Sequence, residues 1–523
     1  MRRLLILSID SADPALVRKW AQQGELPALA ALMREGATAS LESISNLFPD
    51  AAWPTIATGC LPGKHGHYNW RCVRPGTTTM AFAPARSYLK PFWLLAALSG
   101  RHVLTFDMQG SFVEREAGGT QVVGWGQRAA RVHESWPPEL FGELETRYGR
   151  PPPWLDDDVV NRGERSAARY LRVLERSVAA RTELLLQLLR DRPWDVCVAS
   201  YQEAHNGGHV FHRYVDPTHW AHDAGRAERF GDALLQVQKL IDHGVARLLE
   251  SLPSDTDVVL FSGTGFRANS NGLQILPKAL IGLGYTVPRT ASALPRALNA
   301  VSRAIPWSIR RHVNRRLSNE RQSVLLARMW EESIDWTRTR AVAETAFSAG
   351  WVRINLRGRE PHGIVAQGSE YDTLCAEIAG ELRALRHAET GASAVAEVIR
   401  MDELADGPHA GEFPDLYVRW APEGFLRAVT HPRLDVLREN MRDVAVSEHS
   451  GEGFLVAAGL SIRPGGDVRG HVVDVAATAL YLAGVPVPSD MDGNVLTDLI
   501  DPDELAKRPV VRVEQDWRDD PWP

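Results

Sequence analysis

Five short runs of consecutive apolar residues punctuate the chain: Leu4 to Ile9, His102 to Phe106, Asp195 to Ser200, Asp257 to Ser262 and Gly453 to Ala458. Each is rich in Val, Leu or Ile, and most end at or beside Ser, Asp or Gly. Uninterrupted apolar runs of this length suit strands buried on both faces, as in parallel sheets. Between them the apolar period changes to that of a helix, notably over Asp13 to Glu35 and Ser166 to Leu189. Strands alternating with helices predict a doubly wound, mostly parallel α/β sheet. The segment from 285 to 345 breaks this rhythm. Ala293 to Leu317 is basic and apolar at helical spacing, with Pro295 and Pro306 inside it and Pro288 just before. A helical or mixed insertion covering the sheet or its site is favoured there over a helix lying on a membrane surface. The expected divisions are a first core part over 1–284, an insertion or cap with its returning segment over 285–420, a last core part over 421–505 and a charged tail over 506–523. The tail carries two Trp and is expected to be partly mobile.

Composition narrows the partners. The 523 residues are 44% hydrophobic and 24% charged, the balance of a soluble globular protein. A net charge of -6 leaves no basic footprint for nucleic acid. No apolar stretch approaches the roughly 18 residues of a membrane span. The start, Met1-Arg-Arg, precedes an apolar run interrupted by Ser8 and Asp10 without a small-residue cleavage site, so it reads as a first strand rather than a signal peptide. Cytoplasmic location is the default expectation. Cys60, Cys72, Cys197 and Cys375 are scattered, without metal-knuckle spacing, and read as reduced, mostly buried thiols.

The chemistry-bearing residues gather in a few places. Directly after the run ending at Ser200 come Glu203, His205, His209 and His212. His205 and His209 at i, i+4 would share one helix face, although Asn206-Gly-Gly208 is poor helix material and a loop is an equal alternative. His449 precedes a Gly-rich turn and another apolar run. Imidazole and carboxylate drawn from distant loops suit a divalent ion such as zinc. Asp10 closes the first run, where open α/β sheets place active-site groups. The segment from Asp50 to Gly66 adds Asp50, Thr55, Lys64 and His65. In it, Thr58-Gly59 would close a helix, and a helix start near Asp50 would offer N–H groups to an anion. Asp50 capping that helix, with Trp53 in the core, is the plainer alternative.

These landmarks, with Tyr214-Val-Asp-Pro217, Asn355 to Pro361, Pro414 to Trp420, Asp474 to Thr478 and Met491-Asp-Gly493, resemble the alkaline phosphatase superfamily on its nucleotide pyrophosphatase/phosphodiesterase branch, nearly end to end. The resemblance implies a fold of the alkaline phosphatase type and two metal ions flanking a phosphate, one beside a Ser or Thr nucleophile. Carried over, Asp10, His209 and His449 match the family pattern. His205 stands where many relatives have Asp, and Glu203 could supply the missing carboxylate. At the other metal site Gly263-Thr264-Gly265 stands where relatives carry Asp-His-Gly. Counting back from Thr58-Gly59 puts Pro49 where the hydroxyl nucleophile usually sits. Asp50 is then open as nucleophile, as ligand or proton-transfer group, or as a cap alone, and Thr55 as a catalytic hydroxyl or a packed helix residue.

The expected site therefore has Asp10, Glu203, His205, His209 and His449 as metal residues, Asp50 and Thr55 as catalytic candidates, and Lys64 and Arg359 as anion-binding candidates. One divalent ion, most readily Zn²⁺, is expected rather than two. The expected activity is a metal-dependent hydrolase or transferase acting on a small anionic substrate: a phosphate ester, a phosphodiester or a nucleotide-like molecule. Two alternatives stay open, a weakened member that binds a ligand or partner, and one-metal acyl or amide chemistry on the same scaffold.

Overall fold

The computed structural model describes residues 2–83, 87–126, 133–151, 163–270, 273–289, 330–345, 349–422, 424–441 and 446–518. The expected Ala293–Leu317 helix lies outside the described residues. The chain forms two compact units, one of Met1–Gly66, Pro84–Asn269 and Ala445–Pro523, the other of His67–Ala83 and Ser270–Val444.

The first unit is built on a nine-stranded sheet. In chain order its strands are β1 (Arg3–Ile9), β2 (Ala37–Glu42), β3 (Val103–Phe106), β4 (Thr120–Val123), β5 (Glu134–Trp136), β6 (Val196–Tyr201), β7 (Thr256–Ser262), β8 (Glu452–Ala458) and β9 (Asp467–His471). Their spatial order is β9-β2-β8-β7-β1-β6-β3-β4-β5. The five apolar runs are all strands of this sheet. β7, β1, β6, β3 and β4 run parallel, with Leu4 opposite Val196 and Asp257. β8 is a correction to the parallel expectation, since it runs antiparallel to both β7 and β2. At the far edge β5 is antiparallel to β4.

Alternation along β1 explains the layers. Leu5, Leu7 and Ile9 face a core completed by Leu174, Val178 and Ile241, which lie on the long helices Glu164–Asp191 and Ala233–Ser251. Leu4 and Ile6 face the opposite core, with Phe92, Val475 and Leu480. The expected helix over Asp13 to Glu35 is two, Pro14–Gln22 and Pro27–Glu35, each opening on a proline. The tail departs from its expected mobility as far as residue 518. Arg512–Val513 pairs with Val487–Pro488, and the buried Trp517 donates its indole N–H to Asp490 at 2.9 Å.

The second unit holds a four-stranded antiparallel sheet of Ala341–Thr345, Gly350–Ile354, Leu416–Trp420 and Val395–Arg400, covered by the Ser369–Arg383 helix. Among the described residues, no helix is long and apolar enough to cross a membrane.

Candidate metal centre

The chain leaves β6 at Tyr201 and turns at once into the helix Glu203–Val215. The Asn206-Gly-Gly208 stretch is helical despite its low propensity, and packing explains the glycines. A Cβ on Gly208 would lie 1.9 Å from the Phe266 ring, and one on Gly207 would lie 3.1 Å from Leu234. Phe266 therefore rests directly on the helix. Its ring centroid lies 5.1 Å from that of His209, 5.3 Å from that of His449 and 6.2 Å from that of His205.

His449 arrives from far along the chain, on the short strand Ser447–His449 that pairs with Phe266–Ala268, Phe266 opposite His449. One nitrogen from each of His205, His209 and His449 falls within 4.8 Å of the other two. The Nε2 atoms of His205 and His209 are 2.9 Å apart. On the remote sides, His205 Nδ1 is 2.7 Å from Asp10 Oδ2, and His209 Nδ1 is 3.2 Å from the Ser447 carbonyl oxygen. A carboxylate and a carbonyl only accept, so both Nδ1 atoms carry protons and both Nε2 atoms face the shared space. Imidazoles converging in this way, two of them steered by an outer acceptor, fit a borderline divalent ion such as zinc.

Asp10 sits at the end of β1, its backbone N–H bonded to the Tyr201 carbonyl at 2.9 Å. Its Oδ1 accepts from the Trp53 indole at 3.1 Å and from the Ser11 hydroxyl at 3.2 Å. Burial pushes this carboxyl up, but the charge and hydrogen bond of His205, with His449 and Trp53, more than offset it and hold it below the usual carboxylate range. Ser11, at φ 54°, holds its Oγ 3.4 Å from His449 Nδ1.

Glu203 is engaged elsewhere. It bonds the Ser177 hydroxyl and lies 3.1 Å from Arg181 Nε. Arg181, fully buried, also meets Asp107 Oδ2 at 2.8 Å and the Ser200 carbonyl at 2.9 Å. Two positions before His205, Glu203 projects from a different helix face, so the carboxylate expected beside the imidazoles anchors the helix start instead. Burial raises the Asp107 carboxyl, and neighbouring Glu203 adds to that, so even Arg181 leaves it above its ordinary value.

The remaining candidates are spread out. Asp50 is exposed and precedes the helix Ala52–Thr58, whose N-cap is Ala51 without a side-chain cap. Thr55 is buried on that helix with its hydroxyl 3.0 Å from His65 Nε2. Lys64 pairs with Asp492 and donates to the Asp490 carbonyl at 2.7 Å. Arg359 belongs to the second unit, where it clamps Asp415 through two contacts of 2.9 and 2.7 Å. In the loop after β7, the Thr264 hydroxyl donates to the Ser450 carbonyl, and Ser450 Oγ accepts from the Gly265 N–H at 3.1 Å. Thr264 thus ties two loops together. Sequence reasoning missed Ser11, Phe266, Ser447 and the Asp107–Arg181 pair, and it set Trp53 aside as core.

The scaffold has known counterparts. A mutant of the alkaline phosphatase PafA is 11% identical with a TM-score of 0.55, matching 96% of this chain and 99% of that one. Phosphonoacetate hydrolase from Sinorhizobium meliloti 1021, in complex with phosphonoacetate, is 14% identical with a TM-score of 0.51, over 92% and 96%. Murine ectonucleotide pyrophosphatase/phosphodiesterase 5 is 12% identical with a TM-score of 0.49, over 96% and 100%. The first two likenesses establish an alkaline phosphatase-like fold. No curated protein matches the sequence. The sequence profile of the type I phosphodiesterase / nucleotide pyrophosphatase family matches residues 4–426, and the chain belongs to that family.

Proposed function

We propose that the protein is a metal-dependent hydrolase or transferase of phosphate esters, phosphodiesters or nucleotide-like substrates, working with one divalent ion, most readily Zn²⁺, held by His205, His209 and His449. The observation that carries this reading is the convergence of three imidazole nitrogens within 4.8 Å, two of them with the remote nitrogen tied to an acceptor. Family membership supports the substrate class. When bound, such an ion supplies Lewis-acid charge for a phosphoryl oxygen and acidifies water. The chain's own residues fix the imidazoles, through Asp10 and the Ser447 carbonyl, and Phe266 covers one side of them.

One ion is favoured over two because Thr264, at the position of the family's other ligands, is tied to Ser450, and His205, His209 and His449 form the one such donor group among the described residues. Thr55 and Asp50 are assigned no part in bond-making, and water is the proposed nucleophile in hydrolysis. The test pairs elemental analysis with hydrolysis of aryl phosphate mono- and diesters. About one zinc per chain, with turnover abolished in His209→Ala, is expected. Wild-type protein that takes up no ion refutes the reading. Full zinc without turnover on any phosphoryl substrate favours a second reading, a ligand-binding member, to which the missing second donor group points.

A further inference from the structure

Ser11 is one of two non-glycine residues with positive φ among the described residues, at φ 54°. An L side chain in that conformation is strained, and it persists where its surroundings hold it. Ser11 is 2% exposed. Its Oγ lies between two groups of the metal centre, 3.2 Å from Asp10 Oδ1 and 3.4 Å from His449 Nδ1. A hydroxyl has one proton, and the carboxylate is the stronger acceptor, so Ser11 donates to Asp10. Its oxygen then accepts from His449 Nδ1–H, which leaves the His449 lone pair on Nε2.

We propose that Asp10 lies outside the coordination shell as the shared acceptor of the centre, orienting His205 directly and His449 through Ser11, so that the ion is held by three imidazoles alone. Asp10 thereby divides its two oxygens between two ligands, Oδ2 to His205 and Oδ1, by way of Ser11, to His449. The third ligand, His209, has its own acceptor in the Ser447 carbonyl. All three rings are then fixed in the same tautomer, each turning Nε2 inward. Three imidazoles would hold the ion and leave it open to water or substrate. Ser11 is a positioning residue in this arrangement, and its strained backbone places the hydroxyl between the carboxylate and the ring.

This inference rests on the metal-binding reading above, and its failure is distinguishable from the failure of that reading. The experiment compares wild type, Ser11→Gly, Ser11→Ala and Asp10→Asn. It reads zinc affinity by competition with a chromophoric chelator, the visible spectrum of the cobalt(II)-loaded protein, and the thermal midpoint of the metal-free protein. Glycine adopts φ 54° without a Cβ penalty. Ser11→Gly is therefore expected to bind zinc about 10–100-fold more weakly, the usual cost of losing an outer partner, while its metal-free midpoint stays level or rises. Ser11→Ala is expected to lose the same affinity, which separates the hydroxyl from the backbone. Asp10→Asn is expected to weaken binding while its cobalt spectrum keeps the wild-type coordination number. Wild-type affinity in Ser11→Gly and Ser11→Ala, or a changed coordination number in Asp10→Asn, overturns the proposal. A wild-type protein with no affinity for zinc or cobalt overturns both readings together.

Discussion

Two buried anionic centres stand at the carboxyl ends of parallel strands of the sheet. β6, which feeds the Glu203–Val215 helix, lies between β1 and β3. At the end of β1, Asp10 receives His205, an imidazole of the kind that can bind a metal. At the end of β3, Asp107 faces Arg181, a permanent cation that also holds Glu203. A carboxylate's part in the protein follows from its partner. Imidazoles make the first centre a candidate for chemistry, whereas the guanidinium makes the second an anchor that fixes the start of the histidine-bearing helix.

The largest expected effect tests that contrast. Arg181→Met leaves Asp107 and Glu203 buried without their cation and should lower unfolding stability by about 3–5 kcal/mol. Adding Asp107→Asn and Glu203→Gln should recover most of that loss. Denaturant unfolding of both variants measures it, and a single variant as stable as wild type breaks the comparison. At the other centre, His205→Ala should abolish stoichiometric zinc by elemental analysis yet cost the metal-free protein less stability than Arg181→Met. Gly208→Ala drives a methyl into Phe266 and should cost about 1–3 kcal/mol, with zinc affinity falling alongside.

An effect confined to acid pH concerns His219, which bonds Ser447 Oγ at 3.3 Å. Burial, with His212 adding to it, lowers this imidazole from 6.5 to about 4. Between those values the unfolded chain binds a proton that the folded one refuses, so stability falls as pH drops from 6.5 to 4 and the contribution is complete below that. His219→Gln should flatten this part of the curve of thermal midpoint against pH. An unchanged curve assigns the dependence to other groups.

The buried strands were legible because a strand covered on both faces must be apolar throughout, as Leu-Leu-Ile-Leu and Val-Val-Leu-Phe are. β2 and β9, reading Ala-Thr-Ala-Ser-Leu-Glu and Asp-Val-Arg-Gly-His, carry polar faces and escaped notice. The direction of β8 was hidden because an apolar run is the same in either orientation. In the centre, the i, i+4 spacing of His205 and His209 was readable. Glu203 was near in sequence but pointed away, which only the helical geometry reveals. Ser11 left no trace, since a serine in the left-handed region looks like any other serine, and Phe266 declared itself only through the glycine it presses against.

His449 comes three residues before β8, a strand inserted between β2 and β7. Synthesis therefore delivers the third imidazole 240 residues after His209, the second. Until then a nascent chain presents only His205 and His209 of the group. The proposed ion would thus be captured late in maturation, and products terminated before His449 would lack the third imidazole of the group.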